Sequence, residues 1–167
     1  MSGVIVNNTD SSKPQKLSLQ RITPSQIPMS LLLEADPCEE SVNSYLWAQN
    51  GYCFAAMHDK SIVGVCIANP IKGEDVVEIF NVSVTPSLQA QGIGTKLLSY
   101  SLEQLASNGV TRVELGTGSF GYQLTYYQRL GFRVDAIIKD HFLDNYSEPI
   151  FEYGVQHKDM LRLAIEL

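Results

Sequence analysis

Three observations place this chain in a mixed α/β (α+β) class, with a twisted, mostly antiparallel mixed sheet of six to seven strands flanked by about four helices. Two strand-forming runs, residues 52–57 and 62–68, face each other across a four-residue turn, and a longer one follows at Val76–Val84. Helical spacing then takes over twice, at 92–107 and 122–130, each time between two further strand-forming runs. The length, 167 residues with 44% apolar and 18% charged, suits one well-filled core. We therefore expect a single domain over 16–167, preceded by a polar, aperiodic and flexible lead-in at 1–15.

Each element has a local reason. A short strand is expected near 16–22, and Thr23-Pro24-Ser25 opens a helical turn ahead of the apolar run 29–33. At Asp36-Pro37-Cys38-Glu39 an acid can cap, proline fits the first helical position, and Glu39 stands three after the cap. Cys38, Val42, Tyr45 and Leu46 then form one stripe, which Asn50-Gly51 ends. His58-Asp59-Lys60-Ser61 turns the hairpin, and 69–75 reads as a second turn region. Thr85-Pro86-Ser87 stops the long strand. Leu98, Ser101, Leu102 and Leu105 give the following helix its buried face, and Asn108-Gly109 closes it. A strand at 110–115, a glycine-rich break at 116–121, a helix at 122–130 and strands at 132–138 and 160–167 complete the order. The stretch 140–159 reads as a long irregular loop.

Composition narrows the function. Twelve Lys and Arg against eighteen Asp and Glu give a formal charge of −6 and a pI near 5.0. A broad nucleic-acid surface is not expected on such a chain. Cys38, Cys53 and Cys66 form no CxxC and no metal-spaced set, so neither a disulfide framework nor a metal is expected. His58, His141 and His157 also lack metal spacing. The first ten residues lack a basic stretch followed by an apolar one, and no apolar run reaches the ~20 residues of a span. A cytoplasmic protein that does not bind membranes is the expectation.

The most informative segment is Gln89-Ala90-Gln91-Gly92-Ile93-Gly94-Thr95, between the long strand and a helix. Successive backbone N–H groups at a helix N-terminus favour an anion, and Gly92 and Gly94 let backbone approach a phosphate without a Cβ in the way. The spacing is neither a Walker loop nor a Rossmann fingerprint, because no Lys-Ser/Thr pair follows and Gln89 stands where the first glycine would be.

With Gln89, Gly92 and Gly94 in this place, and Tyr127-Gln128-Arg129-Leu130-Gly131-Phe132 following the next strand, the chain resembles the GNAT N-acetyltransferase family, in a small bacterial-type form. The motif-bearing likeness covers roughly 76–134. It implies acetyl-CoA as cosubstrate, with the backbone of Val82, Ser83 and Val84 pairing with its pantetheine arm and the amides of Gln89, Ala90, Gln91, Gly92, Ile93, Gly94 and Thr95 around its pyrophosphate. It also implies a bulge that splays the sheet, which sequence alone does not reveal. Where relatives carry an Asn that touches the cofactor, Ser119 stands as substitute.

Acetyl transfer to an amine needs a base, a stabilised thioester oxygen and a donor for the leaving sulfur. Glu78, a carboxylate inside an apolar strand, is the first candidate base, since burial would raise its pKa. Glu114 on the neighbouring strand competes, and a relaying water would let either serve. Tyr127 is the candidate acid by resemblance and also a cofactor contact. Its neighbour Tyr126 is expected on another face of the helix. Loop 140–159 carries Asp140, Asp144, Glu148 and Glu152 among aromatic residues, which suits a cationic amine; a structural cover or a homodimer contact is its other use. The expectation is direct acetyl transfer in a ternary complex, with a small-molecule amine as acceptor. A protein N-terminus or lysine acceptor, and a non-catalytic acyl-CoA-binding regulatory module, stay open.

Overall fold

The two strand-forming runs of the hairpin meet as expected. In the computed structural model, which describes residues 16–167, β1 (Leu17–Arg21) pairs antiparallel with β2 (Tyr52–His58), and β2 with β3 (Ser61–Lys72). The lead-in at 1–15 lies outside the described residues. β4 (Val76–Val84), β5 (Arg112–Gly118), β6 (Arg133–Ile138) and β9 (Met160–Glu166) complete a seven-stranded sheet in the order β1-β2-β3-β4-β5-β9-β6. Among the described strands only β4 and β5 pair in parallel. The helices are α1 (Met29–Leu32), α2 (Glu39–Leu46), α3 (Ile93–Ser107), α4 (Tyr122–Arg129) and α5 (His141–Asn145), with a small hairpin of β7 (Phe151–Glu152) and β8 (Val155–Gln156).

Four expectations need correction. The helix expected from Asp36 begins at Glu39, because the Asp36 carboxylate accepts from the Cys38 N–H at 3.1 Å and the Ser41 hydroxyl at 2.6 Å and so organises a turn ahead of it. It also ends at Leu46, four residues before Asn50. β3 runs through Asn69 and Pro70, which read as a turn. Asn69 Nδ2 is anchored on the Tyr45 carbonyl at 2.8 Å, and Pro70 stands where the register shifts, a place where its missing N–H is tolerated. The glycine-rich break begins later, since Gly116 and Gly118 belong to β5. The Met160 side chain and the His157 ring occupy the spaces that Cβ atoms there would fill. Finally, loop 140–159 contains α5 and the β7–β8 hairpin.

Two apolar clusters sandwich the sheet. Val77, Ile79, Val113, Leu115 and Leu163 pack under α3 and α4, while Cys53, Ala55, Val65 and Ile67 pack under α1 and α2. Leu97, Leu98 and Leu105 of α3 are fully buried, each worth roughly 1.5–3 kcal/mol relative to exposure. That anchorage fixes where the N-terminus of α3 points. Among the described residues no helix is long and apolar enough to cross a membrane.

Candidate functional site

The site starts from one extra residue in β4. Asn81 pairs with Ile67 and Ile79 pairs with Ala68, leaving Phe80 without a partner on β3. This is a β-bulge, and bulges bend the strand that carries them. On its other side β4 pairs with β5 only from Val76–Arg112 to Ile79–Leu115. Beyond that point β5 continues to Gly118 paired with β9 alone. The strands part into a wedge, and the Val82–Val84 edge faces it without a strand partner. Asn81 holds the bend by donating its side-chain N–H groups to the Leu32 carbonyl (3.0 Å) and the Tyr45 hydroxyl (2.9 Å).

The wedge opens into a cleft of about 470 Å³. Of the residues expected to meet cofactor, Val82, Ser83, Val84, Gln89, Ala90, Gly92, Ile93, Gly94, Thr95 and Tyr127 line it. Gln91 and Ser119 do not: the Gln91 side chain turns back to the Ser87 carbonyl at 3.3 Å, and Ser119 is exposed outside the cleft. The loop is shaped by left-handed residues, Ala90 at φ 58° and Gly92 at φ 79°. Such alternation turns successive N–H groups into a concave anion nest. Gly92 caps α3 with no side-chain hydrogen bond, so the first-turn N–H groups stay open to the cleft. Gln89 braces the loop, donating from Nε2 to the Val84 carbonyl at 3.0 Å.

Tyr126 is the residue that sequence reasoning set aside. Both it and Tyr127 line the cleft, their rings tilted at 60° with centroids 5.0 Å apart. The Tyr126 hydroxyl is buried without a hydrogen-bond partner and would stand 3.4 Å from a Cβ on Gly94. The assumption that adjacent helical residues cannot share a target failed because the cleft wraps the N-terminal end of α4, where Tyr122 and Gln123 also reach it. Burial pushes both hydroxyls well above the usual tyrosine range.

Glu78 and Glu114 are register partners in the short parallel seam, one residue before it ends. Val77 and Ile79 belong to the cluster under α3 and α4, so strand alternation sends Glu78 to the opposite face. Burial raises the Glu78 pKa, the Arg162 charge opposes that rise, and the neighbouring Glu114 adds to it. Arg162 Nη1 lies 2.6 Å from Glu78 Oε1. Glu114 is more tightly held: it accepts from Arg112 Nε at 2.9 Å and lies 3.9 Å from Lys72 Nζ. Arg162, on β9, carried no sequence signal, because only the sheet order brings it beside Glu78.

The 140–159 segment covers this same end of the sheet. His157 is buried, stacked on Phe120 at 4.1 Å, with Nε2 3.0 Å from Glu152. The Glu152 carboxylate occupies the space beside Gly121 that a Cβ would need. Burial and the Arg162 charge lower the His141 pKa. Neither histidine belongs to a group that could hold a metal; among the described residues there is none.

Comparison with known proteins gives the same outline. The family model described as the Acetyltransferase (GNAT) family matches residues 21–132. The uncharacterized N-acetyltransferase YvbK of Bacillus subtilis (strain 168) is 40% identical over 138 residues, 82% of this chain and 87% of that protein. The structure of an IAA acetyltransferase from Bacillus cereus superposes with TM-score 0.83 at 38% identity, covering 91% of this chain and all of the other. A GNAT acetyltransferase from Elizabethkingia anophelis with acetyl-CoA bound gives TM-score 0.84 at 35% identity, covering 93% and 100%.

Proposed function

The chain belongs to the acetyltransferase (GNAT) family and is an acetyl-CoA-dependent N-acetyltransferase; we propose that it acetylates a small-molecule amine by direct transfer in a ternary complex. The observation that carries this reading is the wedge itself. It reaches from Tyr126 and Tyr127 on one side to Glu34 and Ala35 after α1 on the other. A cofactor and an acceptor can therefore meet at the vertex from opposite faces.

The residues present fit acetyl-CoA. The unpaired Val82–Val84 edge suits an amide-bearing arm. The nest at Gln89–Thr95 suits a pyrophosphate, so backbone rather than basic side chains supplies the attraction in an acidic protein. The orphaned Tyr126 hydroxyl suits a polar group of the same ligand. When bound, the thioester supplies an activated acetyl group.

Glu78 acts as the base. Its raised pKa makes it a better proton acceptor than an exposed carboxylate, and it has one cationic partner, Arg162, where Glu114 has both Arg112 and Lys72. The new N–C bond forms as the C–S bond breaks. Of the two protons an ammonium sheds, one ends on the sulfur and one passes to solvent. Tyr127 meets the departing sulfur as a hydrogen-bond donor. Its hydroxyl holds its proton far more tightly than a thiol, whose pKa is roughly 8.5, so donation stops short of full transfer.

Calorimetry with acetyl-CoA and a screen of amines for CoA release test the proposal together. Binding with turnover of at least one small amine supports it. Turnover of peptides alone would reassign the acceptor, and tight binding with no turnover would favour a non-catalytic acyl-CoA-binding module.

A further inference from the structure

Two arginines share the sheet face that carries Glu78, and they are used very differently. Arg112 is saturated: its guanidinium meets Glu114, Asp135 and Glu166. Among the described residues Arg162 forms an ion pair with Glu78 alone, Nη1 to Oε1 at 2.6 Å. Its Nη1 is buried and has no partner among the described residues besides that carboxylate. The Arg162 side chain is 22% exposed, enough to be reached and too little to be fully hydrated. An arginine presents five N–H donors in a planar fork, and leaving them unmade away from water is costly. Glu78 is the one acidic partner that the described residues give it, where Arg112 has three.

The groups facing Arg162 define what would satisfy it. From β4 comes the Glu78 carboxylate. From α5 comes His141, close enough for the arginine to disfavour a second positive charge there. Neither Arg162 nor Glu78 is among the residues that line the cleft; both stand on the sheet face away from α3 and α4, beside the point where the β4–β5 pairing ends, and Arg162 touches the proposed base directly. A planar fork of this kind matches a carboxylate through two parallel hydrogen bonds, which a lone ammonium cannot offer.

We propose that the acceptor is a free amino acid, its carboxylate received by Arg162 and its amino group by Glu78. This rests on the acetyltransferase reading and sharpens it. An α-amino acid carries its two opposite charges one carbon apart, as the Glu78–Arg162 pair carries its own in direct contact. On binding, each member of the pair exchanges its protein partner for the matching ligand group, so neither charge is left buried alone. A protein N-terminus or a lysine side chain brings no neighbouring carboxylate and leaves the fork unfilled.

The test compares initial rates of CoA release for the twenty amino acids, their amides and their decarboxylated amines, with wild type, Arg162→Gln and Arg162→Lys. Amino acids should exceed their matched amides and amines in kcat/KM by roughly 10- to 100-fold, the range of a charge-assisted hydrogen bond. Arg162→Gln should remove that preference mainly through KM, leave acetyl-CoA binding unchanged by calorimetry, and be partly rescued in Arg162→Lys. Equal or better use of the amides and amines by wild type would overturn the amino-acid assignment while leaving the acetyltransferase reading intact. A preference that persists in Arg162→Gln would overturn the role of Arg162. No CoA release from any panel, with cofactor bound, would overturn both readings. If Arg162→Gln fails to fold, the wild-type panel and Arg162→Lys still decide.

Discussion

Replacing Gly92 by glutamate separates two effects that usually come together. Gly92 adopts φ 79°, and nothing stands within 4 Å of the position a Cβ would take. Any L side chain there pays roughly 1–2 kcal/mol of left-handed strain, which for a chain of this size lowers the melting temperature by roughly 2–4 °C per kcal/mol. No collision adds to it. Gly92→Ala and Gly92→Glu should therefore melt at nearly the same temperature, and Gly92→Asn somewhat higher, because asparagine tolerates this region. Binding should split them. If the nest holds a phosphate, a carboxylate at roughly 5 Å from it would cost about 3 kcal/mol per charge pair at an effective dielectric of ~20. Solvent exposure reduces this, so the expected weakening of acetyl-CoA is roughly 10- to 100-fold in Kd. Calorimetry on all three variants, beside their melting curves, provides the measurement. If Gly92→Glu binds as well as Gly92→Ala, the anion does not sit on this loop and the reading of the nest is wrong.

Three other outcomes are expected. Activity should fall as pH drops through the Glu78 pKa, which lies above its ordinary 4.5 because burial outweighs Arg162; Glu78→Gln should lower kcat by roughly 10²- to 10⁴-fold and abolish that acidic limb, whereas Glu114→Gln should keep it. Tyr126→Phe should leave the free protein as stable or slightly more so, by removing an unpaired buried hydroxyl, yet weaken acetyl-CoA several-fold, while Tyr127→Phe should lower kcat with little change in Kd; melting curves, calorimetry and steady-state rates separate the two. Iodoacetamide at pH 8.5 should label exposed Cys38 only, since burial pushes Cys53 up to about 11 and Cys66 up to about 12; peptide mass mapping reads the result.

What could be read in advance was local. Glycines at 92 and 94 after a strand, the apolar stripe of α3 and the hairpin turn each follow from a few neighbouring residues, and the structure puts them where spacing predicts. What could not be read depends on residues far apart in the chain. The bulge at Phe80 exists because β3 offers no partner there, and nothing in Val-Glu-Ile-Phe-Asn announces it. Gly116 and Gly118 read as loop residues, but they are strand residues pressed by Met160 and His157 from some forty residues later. Arg162 becomes part of the candidate site only because β9 inserts beside β5, which places it across from Glu78. Tyr126 was missed for a different reason: helical periodicity describes a flat neighbour, and this cleft curves around the end of α4.

The short parallel seam has a mechanical consequence. Four register pairs, Val76–Arg112 to Ile79–Leu115, are the only strand pairing among the described residues between the half-sheet β1 to β4 and the half-sheet β5, β9, β6. Past Ile79 no strand pairing joins the halves among the described residues, and side chains and the helices laid across them make the connection. A ligand in the wedge then serves as the missing rungs of the ladder, and occupancy becomes a stiffening element for the whole sheet. Amide exchange along Val82–Val84 should therefore slow when the wedge is occupied.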